Sequence, residues 1–151
     1  MIIGKYDFLV SDNCDITRFA EVSTVLKFIL LGMRDPVIPF AMYREIVKML
    51  NDKEMNENEK IEMNIELLKR DWSGKFKDCN KDTLYYVLDL CYKTCSDAAS
   101  TIDFEAGGYL VGKNICRPYK NKISEIKDQK MSYINTGLMA KEYEKIFESL
   151  R

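Results

Sequence analysis

Few residues in this chain interrupt a helix. Only three prolines and seven glycines occur among 151 residues, which favours long helices joined by short turns. Between these breaks the apolar residues recur every three or four positions, the spacing of one helix face. Alternation typical of a strand is confined to residues 5–10. The sequence therefore predicts an all-α fold, and its length fits a single domain over residues 1–151.

The apolar stripes predict at least five helices and one shorter helical element. The helices cover residues 16–31, 39–50, 57–72, 82–98 and 137–150, and the short element covers residues 103–111. The first helix is apolar nearly all round, so we expect it to be central and buried. The Gly107-Gly108 pair weakens the short element. The lysine-rich residues 113–130 predict an irregular connection.

Charge and composition exclude several kinds of function. The 23 Lys and Arg residues and the 24 Asp and Glu residues give a net charge of −1, without the basic excess of a general nucleic-acid binder. Histidine is absent, which removes His-based triads, His-containing metal sites and His general bases. No apolar run approaches the roughly 20 residues of a membrane span, and no signal sequence is recognisable, so we expect a cytoplasmic protein.

The five cysteines are odd in number and irregular in spacing, which fits a reducing compartment. Cys91 and Cys95 lie four residues apart and would share one face of a helix. They are either small buried residues of the core, the interpretation we favour, or half of a metal site completed by other thiols or carboxylates. The glycine pairs lack the spacing of a phosphate-binding loop. We therefore predict no metal, no cofactor and no catalytic residue.

A proline-framed turn and three further motifs follow one another along the chain. Residues 25–42 read VLKFILLGMRDPVIPFAM, a helix that leads through a short break and a turn into a second helix. Residues 80–84 read NKDTL, residues 112–118 read GKNICRP, and residues 143–147 read YEKIF. In order and spacing these motifs resemble those of the RhoGAP domain, over about residues 4–147.

The resemblance implies a helical bundle that binds a Rho-type small GTPase in its GTP-bound state. RhoGAP domains speed GTP hydrolysis with an arginine finger from a loop near the start of the domain. The region that matches this chain begins after that loop, so the resemblance implies an N-terminally truncated bundle without the finger. Leu31 and Ala106 stand where the family has an arginine and an asparagine, and Met33-Arg34 replaces a leucine-proline pair. We therefore expect a regulator that is not itself an enzyme, with weak or no GTPase activation.

The expected GTPase-binding residues match the family's site or lie beside it. Lys27 keeps the family's helix lysine, and Arg34 lies one turn beyond Leu31 as a partial replacement for the missing arginine. We expect the turn at residues 35–38 and the segment 106–117 to complete this face. The candidate set is Lys27, Arg34, Asp35, Lys113, Asn114 and Arg117.

The same sequence fits two other functions. The chain is alternatively a helical scaffold without GTPase contact, or a fragment of an active GTPase-activating protein whose finger lies upstream. The basic residues at positions 113, 117, 120 and 122 either extend the binding face or belong to a solvated loop, which we favour. Residues 1–10 carry six apolar side chains, and we expect them to fold back over the bundle as a lid.

Overall fold

The structure is a computed structural model that describes residues 16–98, 100–118 and 129–151, with the backbone alone for residues 16–20, 113 and 114. Within these ranges there are seven helices and no strand, so the all-α prediction is confirmed. The helices are α1 (Ile16–Gly32), α2 (Phe40–Asn51), α3 (Glu57–Trp72), α4 (Asp78–Ser96), α5 (Phe104–Ile115), α6 (Gln129–Lys141) and α7 (Tyr143–Leu150). The predicted alternation at residues 5–10 and the predicted lid at residues 1–10 lie outside the described ranges.

Helix α6 occupies the middle of the bundle, and α2, α3, α4, α5 and α7 all pack against it. Its closest neighbour is α5, which in turn packs against α1 and α4. All seven helices contribute buried apolar side chains to one continuous core. The largest fully buried side chains are Leu30, Ile38, Met42, Ile46, Ile61, Leu68, Leu84, Leu88, Ile115, Met139 and Ile146.

Side-chain caps fix the start of two helices. The Asn56 side chain accepts a hydrogen bond from the Glu59 amide at 3.0 Å, and the Glu59 carboxylate accepts one from the Asn56 amide at 2.7 Å. This capping box satisfies two amides at the start of α3, which otherwise lack a partner within the helix. Asp103 begins α5 by accepting from the Ala106 amide at 2.8 Å.

The first three predicted helices agree with α1, α2 and α3 to within about one residue at each end. The predicted start of the fourth helix at residue 82 is wrong, because α4 begins at Asp78. Lys77 precedes this helix without a side-chain cap, so no capping residue marks the start in the sequence. The first turn is anchored instead by Asn80, which is buried.

The predictions for the last third of the chain are wrong in three respects. The short element does not stop at residue 111, because α5 continues to Ile115. The stretch predicted as irregular ends before residue 130, because α6 begins at Gln129. The single last helix is two helices, α6 and α7, which are separated at Glu142.

Glycines allow α5 and α6 to pack backbone against backbone. A Cβ atom added at Gly108 would overlap the carbonyl oxygen of Tyr133 and lie 2.7 Å from the amide nitrogen of Gly137. A Cβ atom added at Gly112 would lie 2.9 Å from the hydroxyl oxygen of Thr136. A glycine costs a helix about 1 kcal/mol relative to alanine. The close packing against α6 offsets this cost, which explains why Gly107-Gly108 does not shorten α5.

A buried pair of asparagines joins α3 to α6. The Asn64 side-chain amide donates to the Asn135 side-chain oxygen at 2.8 Å, and the Asn135 amide donates back to the Asn64 oxygen at 2.9 Å. Both residues are buried. Because each side chain satisfies the other, the pair costs little when buried and favours one register between the two helices.

The expectation that α1 is central and buried is wrong. Leu26 and Leu30 are buried, but Val25, Phe28 and Ile29 are exposed to solvent by 59%, 72% and 54%. The reason is the position of α1 at the edge of the bundle, where it packs mainly against α5. One side of the helix belongs to the core, and the opposite side carries apolar residues without a covering helix in the described part of the chain.

Candidate functional site

The turn at residues 33–38 connects α1 to α2, and neighbouring helices hold its backbone. The Ile38 amide donates to the Ile115 carbonyl at 2.8 Å, which ties the turn to the end of α5. The Asn80 side chain donates to the Val37 carbonyl at 3.3 Å, which ties it to α4. Pro36 is buried beside Val37 and Ile38. These contacts fix the backbone of the turn to the bundle. The side chains of Arg34 and Asp35 in the same turn are exposed.

Arg117 holds the same turn from a third direction. Its Nη2 atom donates to the Met33 carbonyl at 2.7 Å and to the Arg34 carbonyl at 3.0 Å. Its guanidinium carbon lies 6.0 Å from the centroid of the Phe40 ring. These carbonyls follow directly on the C-terminal end of α1, where a cation is also favoured by the helix dipole. Arg117, which we predicted to bind a GTPase, thus makes its described contacts inside the fold.

Four of the residues near this turn form a surface that we call the turn face: Lys27, Leu31, Arg34 and Asp35. Lys27 and Leu31 are four residues apart and share one side of α1; Lys27 is half-buried and Leu31 is 51% exposed. Arg34 and Asp35 follow on the turn, and both are exposed. The Asp35 carboxylate lies 3.9 Å from the Lys77 amine. The turn face therefore places an exposed leucine among one anionic and two cationic side chains.

The other predicted residues lie on α5. Lys113 and Asn114 lie in its last turn, and their side chains are not described. Ala106 is exposed in the first turn, about 14 Å along the helix axis from Ile115 at 1.5 Å per residue. The turn is thus contacted by Ile115, at the end of α5, and by Arg117, which follows the helix, whereas Ala106 lies at the opposite end of α5.

Three of the four sequence motifs meet at this turn. Residues 33–38 belong to the first motif, Asn80 begins the second, and Arg117 lies in the third. The fourth motif contacts α4 instead: the rings of Tyr143 and Phe147 lie 6.1 Å and 5.0 Å from the ring of Tyr85. Motif residues that are distant in sequence therefore act together to brace the backbone.

The cysteines do not form a metal centre in the described part of the chain. Cys91 is buried, which confirms it as a core residue, whereas Cys95 is only half-buried. Burial raises the pKa of Cys91, and it raises the pKa of Cys95 to about 11 and that of Cys116 to about 12. These thiols therefore stay protonated at neutral pH in the metal-free chain. Among the described residues no cluster of three or more Cys, Asp or Glu side chains is placed to hold an ion.

No helix of residues 16–98, 100–118 or 129–151 combines the length and the apolar character that crossing a membrane requires. Comparison with protein-family models, curated proteins and solved structures finds no match to this chain. The likeness to the RhoGAP domain therefore rests on the four motifs and their order.

Sequence reasoning missed two features of this region. The first is that Arg117 donates hydrogen bonds to two backbone carbonyls. An arginine that precedes a proline does not indicate such a contact. The second is the exposed apolar side of α1. Apolar residues on nearly all sides of a helix are equally typical of a buried helix and of a helix at the edge of a bundle whose outer side is covered, so the pattern alone does not distinguish the two.

Proposed function

We propose that this chain is a RhoGAP-like module that binds a Rho-type small GTPase in its GTP-bound state through the turn face, in the cytoplasm. The observation that carries the proposal is an exposed set of side chains on a braced backbone. Arg34 and Asp35 reach solvent from a turn that Asn80, Ile115 and Arg117 hold in place. Because this backbone is already ordered, binding costs little conformational entropy there.

The composition of the turn face suits a protein partner. Leu31 offers apolar area, and Lys27 and Arg34 add positive charge beside it. Apolar contacts at the centre of an interface contribute affinity, while charged residues around them steer the encounter and select the partner. Two cations near one exposed leucine favour an acidic surface around an apolar contact.

The same residues support binding without strong activation. Stimulating GTP hydrolysis requires a cation placed on the transferring phosphoryl group, the role of an arginine finger. Leu31 and Ala106 cannot donate a side-chain hydrogen bond, and Arg117 already donates to two carbonyls. Arg34, in contrast, belongs to the turn face and its side chain is exposed to solvent. We therefore propose weak or no activation, with Arg34 as the source of any residual effect.

Calorimetric titration with Rho-family GTPases, loaded with GDP or with a non-hydrolysable GTP analogue, tests the proposal. We expect Lys27→Ala and Arg34→Ala each to weaken binding by about 1 kcal/mol or more, the usual effect of losing a charge-assisted contact. The matched control is Lys69→Ala, which removes an exposed lysine of α3 and should leave the affinity unchanged. Equal affinity for all three variants would exclude the turn face as the binding surface.

A helical scaffold without GTPase contact is the second candidate, and one observation favours it. Asn80 and Arg117, which belong to two of the RhoGAP-like motifs, donate hydrogen bonds to backbone carbonyls within the bundle. Motif residues that brace a fold are kept whether or not a GTPase binds. Failure to bind any Rho-family GTPase in either nucleotide state, by a chain with intact helical circular dichroism, would support the scaffold.

A further inference from the structure

The turn face has a charged neighbour at the start of α4. The Lys77 amine lies 3.9 Å from the Asp35 carboxylate, and the two side chains are 71% and 56% exposed. This distance is longer than a hydrogen bond, so the two groups attract each other through their charges while both stay open to solvent. Lys77 is thus a cation beside the turn face that a bound partner can reach.

The backbone is held on both sides of Lys77. On one side the Phe76 amide donates to the Asp71 carbonyl at 3.2 Å, and the Phe76 side chain is buried. On the other side the Lys77 carbonyl accepts from the Asn80 amide at 2.9 Å. The Asn80 side chain in turn donates to the Val37 carbonyl of the turn at 3.3 Å. Because an exposed ion pair contributes little stability, these contacts, rather than the ion pair, place Lys77 beside the turn face.

We propose that Lys77 is a further residue of the GTPase-binding surface, where it offsets the negative charge of Asp35 towards an acidic partner; this inference rests on the proposed function. Asp35 is the anionic member of the turn face, and it opposes the attraction of an acidic surface by Lys27 and Arg34. Adding Lys77 raises the net charge of this set of residues from +1 to +2. The surface that selects the partner therefore extends from the turn onto the start of α4.

The two charges have opposite effects on the affinity for an acidic partner. Lys77→Ala removes the offsetting cation, and we expect it to weaken binding about two- to fivefold, the usual range for exposed charge pairs. Asp35→Asn removes the repulsion without changing the size of the side chain, and we expect it to strengthen binding by a similar factor. The affinity of the double variant should lie between those of the two single variants.

Calorimetric titration of the full chain with a Rho-type GTPase, loaded with a non-hydrolysable GTP analogue, tests the proposal. Both changes in affinity should shrink in about 1 M sodium chloride, which screens charges beyond about 3 Å, whereas a merely structural effect would persist. The matched controls are Lys53→Ala and Glu54→Gln, which make the same changes in net charge at exposed positions. They lie beyond the far end of α2, about 17 Å along the helix from Phe40 at 1.5 Å per residue, and should leave the affinity unchanged.

The outcomes separate this inference from the proposed function. If Lys27→Ala and Arg34→Ala weaken binding while Lys77→Ala does not, the inference is overturned and the proposed function stands. Weaker binding by Asp35→Asn would mean that this carboxylate meets a cation of the partner, and would also overturn the inference. Equal effects of the control variants would assign the changes to overall charge and overturn it as well. Absence of binding by the unmodified chain, in either nucleotide state, would overturn the proposed function and this inference together.

Discussion

Replacing Gly108 with alanine would insert a methyl group between the backbones of α5 and α6. The added carbon would lie 2.7 Å from the amide nitrogen of Gly137 and would overlap the carbonyl oxygen of Tyr133. Ordinary contacts of a Cβ atom lie between 3.4 and 4 Å, so the two helices must move apart by several tenths of an ångström at least. Both obstructing groups are backbone atoms, and no side-chain rotation relieves the clash.

The magnitude follows from two opposing effects. Overpacking a well-packed site costs about 1–3 kcal/mol, and a clash with backbone belongs at the upper end or above it. Alanine in place of glycine within a helix returns about 1 kcal/mol of helix propensity. Because α5 and α6 form the most extensive helix contact of the bundle, separating them at Gly108 also weakens the packing of the residues around it. We expect Gly108→Ala to lower the free energy of unfolding by about 2 kcal/mol.

Urea unfolding measures this loss with two probes. Circular dichroism reports on the helices, and the fluorescence of Trp72, which is the only tryptophan, reports on the contact of α3 with Phe76 and with Phe147 of α7. The matched control is Gly32→Ala, because a Cβ atom there meets no other atom within 4 Å. The control should change the free energy of unfolding by less than about 1 kcal/mol, in the stabilising direction. An unchanged or raised midpoint for Gly108→Ala would refute the close backbone contact.

Three further predictions concern groups that hold the bundle together. Arg117→Ala leaves two carbonyls without their donor, and we expect thermal unfolding to show a loss of about 1–3 kcal/mol, only partly restored by Arg117→Lys. Asn135→Ala leaves the buried Asn64 side chain unpaired and should also cost about 1–3 kcal/mol, whereas adding Asn64→Ala should cost less than the two single losses combined in a double-mutant cycle. The hydrogen bond from Arg70 holds the pKa of the buried Asp71 carboxyl below its usual value of 3.8. That carboxylate therefore stabilises the fold fully above about pH 4 and loses its effect as the pH falls further, so urea midpoints should fall below pH 4 and fall less in Asp71→Asn.

The helical pattern of the sequence predicted the parts of the fold that local chemistry decides. Asn56 and Glu59 form the capping box that begins α3, and the predicted boundary there is correct. Pro39 precedes α2, as expected for proline at the start of a helix. At both helix starts the residues that determine the boundary lie within one turn of it, so the local sequence is sufficient to predict where the helix begins.

Long-range packing decided the parts that the sequence did not predict. Gly107 and Gly108 disfavour a helix locally, yet α5 runs through them because Gly108 and Gly112 allow close contact with α6. The exposed side of α1 depends on which neighbours the helix has, and periodicity carries no such information. The structure shows that Arg34 and Asp35 are exposed, and their role in binding stays a prediction. The contacts of Arg117 to the turn depend on residues more than 80 positions away, so they became visible only in three dimensions.

A single-turnover phosphate-release assay, run with and without an active RhoGAP domain, tests most directly whether the turn face binds a GTPase without activating it. We predict that the chain alone accelerates GTP hydrolysis by a Rho-type GTPase less than about a hundredfold, well below the roughly 10³ to 10⁵ of a full arginine finger. Added in excess to the active domain, it should slow phosphate release by competing for the GTPase, and Arg34→Ala should compete less well. Full acceleration by the chain alone would contradict the proposed lack of activation. A reaction rate that stays unchanged on adding the chain, for every Rho-family GTPase, would contradict binding.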